Sequence, residues 1–140
     1  MQTAISCNRS ATRIIFSGRE GLLKHDGSES YRVGIESEGL EAALAIYAFN
    51  PFGPTLAQFF RELANSWRGW NGGKKWTSLE GELSLVCLHD GVGHISVDLM
   101  LRKLGEWTAE TVIEITAGDI ENVANNISEF FSIEKPNVAY

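Results

Sequence analysis

Between residues 78 and 116 the chain alternates apolar and polar side chains three times over, and a period of two dictates extended structure. Leu79, Gly81, Leu83, Leu85 and Cys87 fall on one side of the first run, with Ser78, Glu80, Glu82 and Ser84 on the other. Ile95, Val97, Leu99 and Leu101 alternate with His94, Ser96 and Asp98 in the second. In the third, Trp107, Ala109, Thr111, Ile113 and Ile115 alternate with Thr108, Glu110 and Glu114, and Val112 breaks the pattern. A slip of one residue would carry each polar set into the core, so the register is tightly specified. Asp90-Gly91-Val92-Gly93 separates the first two runs and has the glycines that a tight turn needs. A three-strand meander with one buried face is predicted.

The same period marks Tyr31, Val33 and Ile35 against Arg32, Gly34 and Glu36, then Leu40, Ala42, Leu44 and Ile46, with Glu38-Gly39 as the turn between them. Arg13–Phe16, Ser17-Gly18 and Leu22-Leu23 suggest a short opening hairpin, preceded by a mobile tail over residues 1–12. Two segments change to the helical period. Leu56, Phe59, Phe60, Leu63, Ala64 and Trp67 form one apolar stripe, opened by Gly53-Pro54 and stopped by Gly69. Ile120, Val123, Ala124, Ile127, Phe130 and Phe131 form another, closed by Pro136. No repeat or linker divides the sequence, so one domain over 1–140 is expected. Its class is α+β: an antiparallel sheet of about six to seven strands, covered on one face by two amphipathic helices.

Length and composition narrow the function. A chain of 140 residues with 44% hydrophobic residues can bury a core without staples. The longest apolar run, residues 40–49, is half of the roughly twenty residues that a membrane helix requires. Residues 1–10 lack the cationic start and apolar stretch of a secretory leader. A cytoplasmic protein with no membrane partner is expected. Charge is uneven: residues 1–75 balance at +2, whereas residues 76–134 carry two cations against eleven acids. That field opposes phosphate, so nucleic acid is not an expected partner, and a basic protein is the favoured sign of ligand.

Few residues suggest chemistry. Cys7 and Cys87 form no ligand ladder, and Cys87 among Leu85, Val86 and Leu88 reads as a buried, inert thiol. His89 and His94 flank the Asp90 turn, but their spacing matches no zinc pattern, and His25-Asp26-Gly27 reads as another turn. Glu80, Glu82, Asp98, Glu110 and Glu114 all fall on the outward set of the meander. Paired carboxylates can flank a glycosidic bond at about 5–10 Å, yet no nucleophile–base pair or phosphate-cradling loop accompanies them. Trp70, Trp76 and Trp107 read as rim of the core. No enzyme, cofactor or metal is expected, and the five acids become candidate partner-binding residues.

Trp76-Thr-Ser-Leu-Glu-Gly-Glu-Leu-Ser-Leu85, Gly93-His94-Ile95-Ser96-Val97 and Trp107 carry a resemblance to a bacterial family of domains of unknown function. Phe59-Phe60-x-x-Leu63, Trp67-x-Gly69-Trp70 and Gly118-x-Ile120-x-x-Val123-Ala124 fit it too, over about residues 30–133. That family is similar in layout to WapI-type immunity proteins, which pair with contact-dependent toxins. The resemblance implies a fold and a neighbourhood, not a catalytic residue; taken with the acidic face it favours a non-enzymatic binding protein, with neutralisation of a basic toxin its most concrete form. A small-molecule or peptide-binding regulatory module is the alternative, followed by an unrecognised hydrolase.

Overall fold

Alternation becomes burial in β3 (Ser30–Ser37), where Tyr31, Val33 and Ile35 are buried and Arg32 and Glu36 are exposed. The computed structural model describes residues 1–20 and 29–132. Around β3 lie β1 (Thr3–Ser6), β2 (Arg13–Glu20) and β4 (Leu40–Tyr47), which pair antiparallel in chain order as one four-stranded sheet. Glu38-Gly39 joins β3 to β4, and Gly39 takes the positive φ (78°) that closes so short a loop.

Residues 1–12 are not a free tail. Ile5 is 3% exposed and pairs with Ile14, so one buried side chain and a ladder of backbone bonds fix β1. The expected turn at Ser17-Gly18 is also corrected. β2 runs on to Glu20, and the register shifts between Ser17 and Glu20, where Gly18 has a φ of 63°. Gly18 marks a bulge within a strand rather than a turn. Leu22, Leu23 and the His25-Asp26-Gly27 turn lie outside the described residues.

The second sheet pairs β5 (Lys74–Thr77), β6 (Leu83–His89), β7 (His94–Lys103) and β8 (Trp107–Thr116), again in chain order. The fold is α+β with two four-stranded antiparallel sheets, which replaces the single sheet of six to seven strands. The first alternating run does not begin at Ser78. Residues 78–82 make the β5–β6 turn, which buries Ser78 and leaves Leu79 37% exposed. Ser78 Oγ explains the inversion: it donates to Glu82 Oε1 (2.6 Å) and accepts from the Leu83 N–H (3.1 Å).

α1 (Leu56–Asn65) follows the first sheet and α2 (Ile120–Phe131) the second, after a 3-10 turn at Ala117–Asp119. Thr55, not Pro54, starts α1: its side chain accepts from the Gln58 N–H while Gln58 Oε1 accepts from the Thr55 N–H. Leu56, Phe59, Phe60, Leu63 and Ala64 are buried as the stripe predicts. Trp67 is 50% exposed, because the helix ends in a tightened turn at Ser66 and Trp67 falls out of its period. α2 stops at Phe131, before Pro136. Arg19 reaches its end there, donating to the carbonyls of Phe130 (2.6 Å) and Ser132 (2.8 Å) and pairing with Glu29 (2.6 Å).

The buried residues of both sheets and both helices form one continuous cluster. The helices pack on each other, with Arg61 bonded to Asn125 (2.6 Å), and β4 lies alongside β7. The sheets are also joined directly. Glu82 Oε2 accepts from the Tyr47 N–H at the end of β4, and the Asn8 N–H donates to the Glu114 carbonyl in β8.

Candidate binding surface

Alternation on β6, β7 and β8 sends Leu85, Cys87, Val97, Leu99, Ile113 and Ile115 into the core. It turns the intervening residues outward. Register then decides which outward residues are neighbours: Val86 sits opposite Asp98, Asp98 opposite Val112, Met100 opposite Glu110 and Ser96 opposite Glu114. Leu88 and Val112 are 50% and 59% exposed on this face. The result is a mixed surface of aliphatic side chains and carboxylates.

Of the five acids singled out in the sequence, three meet here. Asp98 and Glu110 are diagonal neighbours on β7 and β8, and Asp98, by side-chain hydrogen bonding first and by its charge second, holds the Glu110 carboxyl above its ordinary range. Glu114 stands on the same face with Arg9 3.8 Å away. Glu82 does not belong to it: both of its oxygens accept bonds, from Ser78 Oγ and the Tyr47 N–H, so it ties the sheets together. Glu80 sits in the β5–β6 turn and is exposed there. A period of two cannot reveal these departures, because residues 78–82 are a turn rather than strand.

At one end of this sheet the β6–β7 turn engages both histidines. Asp90 Oδ1 accepts from the N–H groups of Val92 and His94, and Oδ2 bonds His94 Nδ1 (2.7 Å). The Val92 bond leads, and with the His94 contacts it lowers the Asp90 carboxyl to about 2. His89 Nδ1 accepts from the Gly91 N–H, so its Nε2 carries the proton donated to the Trp67 carbonyl (2.8 Å). Neither His89 nitrogen has a lone pair left for a metal in this arrangement. Among the described residues no cluster of three or more His, Cys, Asp or Glu side chains could hold an ion.

Beside His89 a cleft of about 410 Å³ is lined by Arg68, Gly69, Trp70, Asn71, Asp90 and Gly91. Trp70 meets His89 edge-on at 5.1 Å and donates Nε1–H to the Cys87 carbonyl. Trp76 is buried with its Nε1–H on the Pro54 carbonyl, whereas Trp107, beside the β7–β8 turn, is 36% exposed.

The thiols differ. Burial, with the Asp98 charge behind it, pushes Cys87 up to about 12, which keeps it protonated. At Cys7 partial burial works upward, but bonds from the Glu114 N–H and from Ser10 and Arg9 outweigh it and lower the thiol. Both cysteines are free.

The model of a family of unknown function, DUF6228, matches residues 5–134. The chain belongs to this family. The DUF6228 match begins within β1 and so takes in the segment before residue 30, which the sequence resemblance had left outside. The match itself supplies no link to WapI-type immunity proteins or to bacteria. No curated protein and no solved structure matches the chain. No helix among the described residues is long and apolar enough to cross a membrane.

Proposed function

We propose that this protein is a non-enzymatic binding protein that receives a basic protein partner on the outward face of β6, β7 and β8. The observation carrying this reading is the pairing of exposed Leu88 and Val112 with Asp98, Glu110 and Glu114 on one face. Apolar area supplies affinity, while the acids speed encounter with a cation-rich surface and fix its orientation. Neutralisation of a basic toxin is the form suggested by the sequence resemblance, and the cytoplasm is the compartment that suits two free thiols.

The first partner to test is the product of an adjoining gene. Association is measured for the wild type and for the triple variant Asp98→Asn, Glu110→Gln, Glu114→Gln at low and high salt. The reading expects an on-rate at low salt reduced about tenfold or more in the variant, with the difference shrinking as salt screens the field. Equal on-rates at low salt would remove this face from the interface. A small-molecule-binding module is favoured by one other feature, the cleft beside Trp70 and His89, where Arg68 and Asp90 offer opposite charges. Ligand-induced quenching of tryptophan fluorescence with an unchanged partner on-rate would favour that alternative.

A further inference from the structure

β8 is the last strand of its sheet, and its free side already shows how another segment can add to it. The Asn8 N–H donates to the Glu114 carbonyl at 3.0 Å, and the Glu114 N–H donates to Cys7 Sγ at 3.3 Å. The backbone groups of Glu114 therefore point away from β7. Register along β8 is unbroken from Trp107 to Thr116, so the same period of two turns the N–H and C=O of Val112, Glu110 and Thr108 outward as well. Among the described residues no backbone group bonds to these three positions on that side. The segment that occupies the Glu114 position carries a cation, Arg9, beside the Glu114 carboxylate.

We infer that β8 binds an extended basic segment of the partner, which adds as a further strand along Thr108, Glu110 and Val112 and continues the pairing begun by Cys7–Arg9. This inference rests on the binding-protein reading and specifies its mode. Backbone bonds would supply affinity and alternate side chains the selectivity. On the outward face, a cation of the segment meets Glu110 and Asp98, and an aliphatic residue two positions away meets Val112. A second copy of this chain is a poor occupant. Strand β8 holds no Lys or Arg, so self-pairing along it brings no cation to Glu110 in any register, and the registers centred on Glu110 or Val112 set like charges directly opposite.

The probe is a synthetic peptide of about eight residues, an ordinary strand length, in which lysine and valine alternate with threonine. It is titrated into the isotope-labelled protein and followed by amide exchange and calorimetry. The expected result is slowed exchange at Glu110 and Val112, with affinity reduced about tenfold or more when the peptide's pairing amides are N-methylated. Val112→Pro should produce a similar loss, since the Val112 N–H makes no bond within the sheet and proline is tolerated at such an edge. The N-methylated peptide tests the same point on the wild-type protein should that variant misfold. Equal binding of the methylated peptide would overturn strand addition and leave the face as the site. No binding of either peptide would also overturn it, while the broader reading stands on its own partner measurement. A concentration-dependent dimer protecting the same amides would overturn it in favour of self-pairing.

Discussion

The Arg19 guanidinium touches Glu29, the Phe130 carbonyl and the Ser132 carbonyl at once, with its side chain 8% exposed. It also lies over the rings of Phe130 and Phe131, at 5.9 and 5.8 Å. Arg19→Ala would leave two helix-end carbonyls and a carboxylate without their donor, at an expected cost of about 2–3 kcal/mol measured by urea unfolding. Arg19→Lys keeps the charge but not the planar fork, so it should recover only part of that loss. Nothing in the sequence marks Arg19, because its two carbonyl partners lie more than a hundred residues away and no local pattern encodes them. Glu110 gives a test with the opposite sign. Its carboxyl is held above 4.5 by Asp98, so the folded state binds this proton more tightly than the unfolded chain does. The contribution is present below pH 4.5 and is lost as pH rises through the higher folded value. Thermal midpoints of Glu110→Gln should therefore gain on those of the wild type as pH rises above 4.5, and parallel curves would refute the shared proton.

α1 was the most readable element, since five of its six stripe positions are buried. Leu63 lies at its centre with no exposed surface, and Leu63→Ala should destabilise by about 2–5 kcal/mol in chemical denaturation. Thr55→Ala removes only the cap and should cost about 1 kcal/mol. A larger effect at Thr55 than at Leu63 would contradict the assignment of the stripe to the core. β3 and β7 were equally legible because alternation, turn glycine and burial agree at each, whereas in β4 only Ile46 is buried. The β5–β6 turn was not, since Glu80 and Glu82 continue a period of two by coincidence while Ser78 and Glu82 are engaged by bonds no periodicity signals. β1 was missed for a related reason: at four residues it is too short to show alternation, and its partner strand supplies its stability. The three acids that do meet were found because they lie on strands whose register the apolar residues fix.

Across the whole molecule, four antiparallel strands followed by a helix occur twice, and the two helices pack together over a single core. No sequence repeat announces this, because binary patterning can rebuild the same order with different residues. A shared core predicts one cooperative unfolding transition. Near-ultraviolet circular dichroism and backbone signals should melt together, and separated midpoints would show that the halves hold independently. Strand order has a kinetic consequence as well. Among the described residues every strand pairs only with its neighbours along the chain, so neither sheet waits for a distant segment before it can form. Contacts across long sequence separations are concentrated where the halves meet: α1 on α2, β4 beside β7, and Asn8 on Glu114. Loop closure thus weighs little on the hairpins and more heavily on their docking. Substitutions at the α1–α2 contact should accordingly slow refolding, and an effect confined to the unfolding rate would place docking after the transition state.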